Sequence, residues 1–276
     1  MSKPLTIFNN FEYLPLVKEG ESKIIRYLGQ GKVAIRLKPT IYSYTKNRYG
    51  IIPNSEKIRC KSSQILVEQL TKHQVKHGFH TYDEKIEAII ADLIIEKTPN
   101  GLYFTPQDIN IDNLPIFTPI EVIVKNTHIG TPKHRYRYID NYPTRNHKII
   151  KEAGAYPNNI VRFDWRNPLH DENNNRLADE VMPEDMADWW IDTKQAKNTA
   201  NKAFSILHNY LLSRGIKLLD ICFFIDASGQ MIYSEISPDC MRVCANDKSL
   251  DKDIWRAGGS SEEVLRKWSY FLELIT

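Results

Sequence analysis

Cysteine is scarce in this chain, with four in 276 residues, at positions 60, 222, 240 and 244. They are too few and too scattered for a disulfide framework. A zinc site built from Cys222, Cys240 and Cys244 lacks a fourth ligand at metal spacing, so reduced, mostly buried thiols are expected and no metal-ligating set stands out. No apolar run approaches the roughly 20 residues that cross a bilayer, and no charged-then-apolar leader opens the sequence. A cytoplasmic protein without a membrane partner is therefore expected. An excess of one charge is missing too: 37 Lys+Arg stand against 34 Asp+Glu, for a net charge of +3. Without a sustained basic run, a nucleic-acid partner is not expected. The densest basic stretch, Lys133-His-Arg-Tyr-Arg-Tyr138, is short enough to be a local phosphate site. There is no internal repeat and no linker-like stretch that would mark a fusion.

What is present is an ordinary globular composition, 42% hydrophobic and 26% charged, long enough for one large domain or two lobes sharing a cleft. The first 57 residues read as β-rich. Lys23–Tyr27 and Lys32–Leu37 face each other across Gly29-Gln-Gly31, a hairpin signal. Ile58–Gln74 has the apolar spacing of an amphipathic helix. Ile86–Lys97 and Leu102–Phe104 flank Thr98-Pro-Asn-Gly101 and predict a second hairpin. Pro183–Gly215 reads as one long core helix, opened by proline and acids and closed by glycine. Its Trp189 and Trp190 are expected in the core. Ser260 and Glu263 form a capping box for a last helix running to the terminus.

Two stretches carry chemistry. Pro119–Asn126 reads as a buried strand followed at once by Gly130-Thr131, His134 and Arg135. A strand end, a glycine, a hydroxyl and several cations make a cradle for a phosphate monoester, which nominates Lys125, Thr131 and Arg135. In the second stretch, Leu218–Ile225 and Met231–Ile236 are apolar runs of strand length about the turn cluster Asp226-Ala-Ser-Gly229. A hairpin is the economical reading, with Asp220, Cys222 and Phe224 on one face of its first strand. Ser237-Pro-Asp239 ends the pairing and leaves Asp239 and Arg242 at its mouth.

Glu235-Ile-Ser-Pro-Asp-Cys-Met-Arg242 followed by Asp251-Lys-Asp-Ile-Trp-Arg256 resembles the C-terminal signature of SAICAR synthetases, D-E-x-S-P-D-x-x-R and then D-K-D-x-[FW]-R. The resemblance extends over most of the chain. Glu19-Gly-Glu-Ser-Lys23 is similar to the family's phosphate-proximal E-G-K-x-K run, which makes Gly20 and Lys23 nucleotide-binding candidates, with Glu21 replacing a lysine. Lys125 and Thr131 stand where the family holds the ribonucleotide phosphate with arginine and serine, and Arg242 joins them. Leu169-His-Asp-Glu172 resembles the family's M-H-D-P segment and, with the signature, makes Asp171 and Asp239 the candidate catalytic acids.

The resemblance implies an α+β fold of two lobes with a central cleft, a β-rich N-terminal lobe over 1–115 and a C-terminal α+β lobe over 116–276 that carries the ribonucleotide site. It also implies ATP and magnesium as cofactors, a ribonucleotide and an amino acid as small-molecule partners, and a homo-oligomer. Departures gather at one place. The family serves ATP phosphates and magnesium with lysine, glutamate and aspartate where this chain has Cys222, Phe224 and Ser234, and a further family lysine corresponds to Leu114. Magnesium needs hard oxygen ligands, which a thiol and a phenyl ring do not supply. Three readings stand: an ATP-dependent ligase joining a carboxylated aminoimidazole ribonucleotide to an amino acid such as aspartate, a family-derived enzyme acting on a phosphoribosyl compound without ATP and magnesium, and a nucleotide-binding module without catalysis.

Overall fold

The computed structural model describes residues 10–43, 47–167, 170–175 and 177–276. Five N-terminal strands build an antiparallel sheet in the order β1-β2-β3-β7-β6: β1 (Leu16–Glu19), β2 (Lys23–Gly29), β3 (Lys32–Leu37), β6 (Phe79–Asp83) and β7 (Ala88–Asp92). Between them lie a separate two-stranded ribbon, β4 (Thr40–Ser43) with β5 (Arg48–Ile51), and the helix α1 (Ser55–Lys72). The Asn-Gly turn closes a small ribbon, β8 (Lys97–Thr98) with β9 (Gly101–Leu102).

A second antiparallel sheet runs β12-β11-β10-β13-β14-β15. Its strands are β10 (Ile120–Thr127), β11 (Ala155–Trp165), β12 (Glu180–Met182), β13 (Lys217–Phe224), β14 (Met241–Ala245) and β15 (Lys248–Ser249). The helices of this half are α2 (Thr131–Arg135), α3 (Glu184–Ala187), α4 (Thr193–Leu212), α5 (Asp253–Arg256) and α6 (Ser261–Ile275). One face of the sheet is apolar: Val122, Val124, Ile221, Phe223 and Val243 are all fully buried. Against it α4 lays Ala200, Ala203, Phe204, Leu207 and Leu211. Each large side chain sequestered there contributes about 2–3 kcal/mol. Residues of both sheets, α1, α4 and α6 belong to one apolar cluster, so the two sheets share a core.

Three sequence expectations change. Met231–Ile236 is not the partner strand of β13: only Ile232 bridges, to Ile225 and His77, and β14 takes the ladder position instead. The long helix is broken in two, because Asp192 turns its carboxylate onto the Gln195 N–H at 2.8 Å and starts α4 afresh. That break leaves Trp189 largely exposed at 73%, while Trp190 packs on Trp165. The Ser260 cap forms as expected, its hydroxyl accepting from the Glu263 N–H at 3.2 Å. Among the described residues no helix is long and apolar enough to cross a membrane.

Candidate active site

Strand register decides which polar groups meet. Lys125 pairs across with Asp220, Asp220 with Arg242, Glu121 with both Asp164 and Phe224, and Ile123 with both Arg162 and Cys222. Because side chains alternate, all of these occupy the face of the second sheet opposite the apolar one. A row of charges on a largely buried sheet face is costly unless paired, and here pairing is extensive. Lys125 is bonded to the Asp220 carboxylate. Arg242 donates from Nη1 to Asp220 Oδ2 at 2.7 Å and from Nε to Asp253 Oδ2 at 2.9 Å, and Arg256 is bonded to the other Asp253 oxygen. Burial alone would raise the Asp220 carboxyl, but Arg242 and Lys125 outweigh it and hold it below the usual range.

Gly130 caps this chain. Its φ is +66°, and a Cβ there would stand 2.9 Å from Cζ and both terminal nitrogens of Arg242. The turn before α2 therefore lies directly over the guanidinium. Lys125, Arg242 and the Gly130 turn are brought together, while the side chain of Thr131 lies outside the described residues. Lys125 is only 3% exposed and already paired, so its ammonium sits behind Asp220 and presents no free edge. Arg135 is drawn off to Glu180 at 3.1 Å on the surface. The sequence pattern placed it in the phosphate cradle, but an exposed carboxylate competes for it.

The other nominated residues scatter. Asp171 is spent on its own loop, accepting the N–H groups of Asn173 at 2.9 Å and Asn175 at 2.7 Å and the Asn175 amide at 3.0 Å. Those bonds hold its carboxyl below the ordinary value and make it a turn residue. Leu169 of that segment lies outside the described residues. Asp239 pairs with Lys252 at 3.1 Å and neighbours Glu235. Gly20 is exposed and donates its N–H to Lys23 O at 2.9 Å, closing the β1–β2 turn.

Lys23 itself faces a cleft between the N-terminal sheet and the 233–235 segment, together with Ile35, Leu37, Phe79, Tyr233 and Glu235. Glu235 is a buried anchor: Arg59 of α1 holds it with two bonds of 2.6 and 2.9 Å, and Ser237 adds one of 2.6 Å. This joins α1 to the signature segment through a fork-to-carboxylate pair.

The positions where the resemblance implies magnesium and triphosphate hold different chemistry. The Phe224 ring stacks on Tyr233 with centroids 5.9 Å apart, and the Arg166 guanidinium lies over it at 4.7 Å. Ser234 Oγ accepts the Phe224 N–H at 3.1 Å, and Cys222 donates its thiol hydrogen to Glu121 at 3.2 Å. Burial pushes the Cys222 thiol well above its ordinary value, so it is a neutral donor and not a thiolate ligand. Among the described residues no three His, Cys, Asp or Glu side chains are grouped to hold a metal ion. Cys222, Phe224 and Ser234 themselves offer magnesium no carboxylate oxygen.

Sequence reasoning missed one group of acids. Glu121, Asp164 and Asp179 interact through their charges, and burial, then Glu121, pushes Asp179 up to about 7. They come from β10, β11 and the loop before β12, so no local spacing announces them. The only sequence signal is the acid inside the otherwise apolar Pro119–Val124 run.

Comparison with known proteins gives these features a context. The family model of SAICAR synthetase matches residues 16–269. The chain is 26% identical over 94% of its length to the bifunctional cordycepin biosynthesis cluster protein 3 of Cordyceps militaris, and it spans about a third, 32%, of that protein. To the phosphoribosylaminoimidazole-succinocarboxamide synthase of Caldivirga maquilingensis it is 23% identical, with 92% of each chain covered. A SAICAR synthetase solved in complex with ADP superposes with a TM-score of 0.72 at 22% identity, covering 95% of this chain and 97% of that one. The Saccharomyces cerevisiae enzyme complexed with SAICAR gives 0.69 at 16% identity, with 95% of each covered. These likenesses establish the α+β fold, and the family match over nearly the whole chain establishes that the protein belongs to the SAICAR synthetase family.

Proposed function

We propose that this chain binds a phosphoribosyl compound at Arg242 and the Gly130–Thr131 turn, and acts on it without an ATP–magnesium step. The observation that carries the reading is the contrast on one sheet face: a cation chain fixed beneath a glycine turn at one end, and a ring stack of Phe224, Tyr233 and Arg166 at the other. Asp220 and Asp253 lock two of the three nitrogens of Arg242, which pre-organises the remaining Nη2 edge for a phosphate oxygen. Lys125 adds charge from behind Asp220. Next to the stack, burial and the Glu121 charge raise Asp179 to about 7, and burial raises Glu121 as well, so these acids supply acid–base chemistry where the family resemblance implies metal ligands. A relative named for cordycepin biosynthesis, not for SAICAR formation, agrees with a departure from the family reaction.

The second reading is the ATP-dependent ligase that joins a carboxylated aminoimidazole ribonucleotide to aspartate. The matching lengths of this chain and the Caldivirga maquilingensis synthase favour it. Calorimetric titration with ribose 5-phosphate and aminoimidazole ribonucleotide, with and without ATP and magnesium, separates the two. Binding that ignores both additives is the expected result. Magnesium-dependent ADP release with carboxyaminoimidazole ribonucleotide and aspartate would establish the ligase.

A further inference from the structure

A cavity of about 180 Å³ lies away from the phosphate cluster, where the end of β3, the first turns of α1 and the β6–β7 hairpin meet. Its walls are Leu37, Pro39, Cys60 and Tyr82. Leu37 and Cys60 are buried, and burial pushes the Cys60 thiol and the Tyr82 phenol up to about 12. Both groups are therefore neutral near pH 7 and line the space as weakly polar surfaces. A cavity of about 150 Å³ with apolar walls holds a benzene ring, so this one has room for a single ring with a short substituent.

Four charged side chains border the space, and three of them are already engaged. Arg36 gives Nη1 to Glu12 at 2.6 Å and Nη2 to the Ile86 carbonyl at 2.9 Å, and its guanidinium lies over Phe11 at 4.0 Å, leaving only a buried Nε that those contacts fix in place. Lys57 of α1 and Glu87 of the β6–β7 turn, both half-exposed, close on each other at 2.9 Å. Glu56 is different. It lies four residues before Cys60, on the same side of α1, and its Oε2 is buried with no hydrogen-bond partner. Among the described residues it forms no ion pair. A buried carboxylate oxygen without a donor is costly, and a ligand that brings the donor recovers that cost.

We propose that this cavity is a binding site for a small aromatic amine, with the ring between Leu37, Pro39, Cys60 and Tyr82 and the ammonium on Glu56. The ammonium supplies the missing donor as a charge-assisted bond. The last torsion of a glutamate is broad, so the carboxylate turns onto it without any movement of α1. A carboxylate head would instead meet Glu56 and Glu87 and be repelled. Once bound, the ligand joins β3, α1 and the β6–β7 hairpin and raises the melting point by mass action. The site shares no residue with the phosphate cluster and goes beyond the reading proposed for that cluster.

The test uses benzylamine on the full chain, with benzyl alcohol and benzoate as probes of the same ring and a different head. Calorimetry and thermal melts should show one saturable site for benzylamine at about millimolar affinity, at least about tenfold tighter than for benzyl alcohol, and none for benzoate. Glu56→Gln keeps the shape and removes the charge, so it should bring benzylamine down to the level of benzyl alcohol. Cys60→Met fills the cavity from its buried wall and should abolish binding of both. Equal binding of the three probes, no saturation by benzylamine in the millimolar range, or unchanged benzylamine affinity in a folded Glu56→Gln variant overturns the proposal. The three probes on the natural chain decide the outcome even where a variant does not fold. None of them carries a phosphate, so their failure is distinct from failure of the phosphate-site reading.

Discussion

Gly130 sits on the guanidinium of Arg242 so closely that a single added methyl would lie 2.9 Å from its central carbon. The same glycine has φ +66°, a conformation that side chains resist. Gly130→Ala should therefore both strain the turn and push Arg242 off Asp220. Strain of about 1–2 kcal/mol is expected, with ribose 5-phosphate affinity reduced about tenfold. Calorimetry on the variant checks this, and an unchanged dissociation constant would remove the turn from the phosphate site.

Arg242→Ala should weaken ribonucleotide phosphate binding by on the order of 2 kcal/mol, the worth of a charge-assisted bond. Global stability should fall less than for a fully broken buried pair, since Asp220 keeps Lys125 and Asp253 keeps Arg256. Arg242→Lys should recover stability better than affinity, because a point charge cannot reach Asp220, Asp253 and a ligand together. Urea melts and titrations on the pair of variants read the two effects separately.

Asp179 predicts a pH signature. It is lifted to about 7 by burial and by Glu121, so between roughly pH 4 and 7 the folded chain holds a proton that the unfolded chain has released. Stability from this group therefore falls as pH rises through that window and is lowest above it. Asp179→Asn should match the natural chain near pH 4 and exceed it by on the order of 2 kcal/mol at pH 8. Denaturant midpoints across that range check the sign, and a variant less stable at pH 8 would contradict it.

The polar face also predicts what restoration requires. Cys222→Lys, Phe224→Glu and Ser234→Asp together should create magnesium-dependent ATP binding, because Ser234 already touches the Phe224 backbone and Cys222 lies two residues away on β13. Each single change places a charge without its partner and should lower stability by about 1–3 kcal/mol. ATP titration with and without a chelator reads the outcome. A natural chain that already binds ATP in a chelator-sensitive way, with nothing gained in the triple variant, would count against the departure from the family reaction.

Much of this architecture is legible in the sequence where local rules decide it. The Lys23–Leu37 hairpin follows from its glycines, β10 from its apolar run, and the start of α6 from Ser260 and Glu263. The partner of β13 is not legible. Met231–Ile236 alternates as a strand does, yet Met241–Ala245 takes its place, because the Arg242–Asp220 and Glu235–Arg59 pairs are settled between distant parts of the chain. Trp189 and Trp190 extend a helical period across a junction that Asp192 cuts with one side-chain bond. Among site residues, Lys125 and Arg242 meet through register, whereas Asp171 answers to its own asparagines. The Glu121, Asp164 and Asp179 group needs β10, β11 and the loop before β12 to be assembled before it exists.

The outlying β4–β5 ribbon has a part in this as well. Arg48 lies flat on Trp255 at 3.4 Å and grips the carbonyls of Trp255 and Gly259 at 2.8 and 2.9 Å, although Arg48 and Trp255 are 207 residues apart in sequence. Beneath the indole is Gly50, where a Cβ would come within 2.6 Å of the ring. The short helix that presents Trp255 to the ribbon also presents Asp253 to Arg242. Four residues of α5 thus tie an early ribbon of the chain to an arginine on one of its late strands.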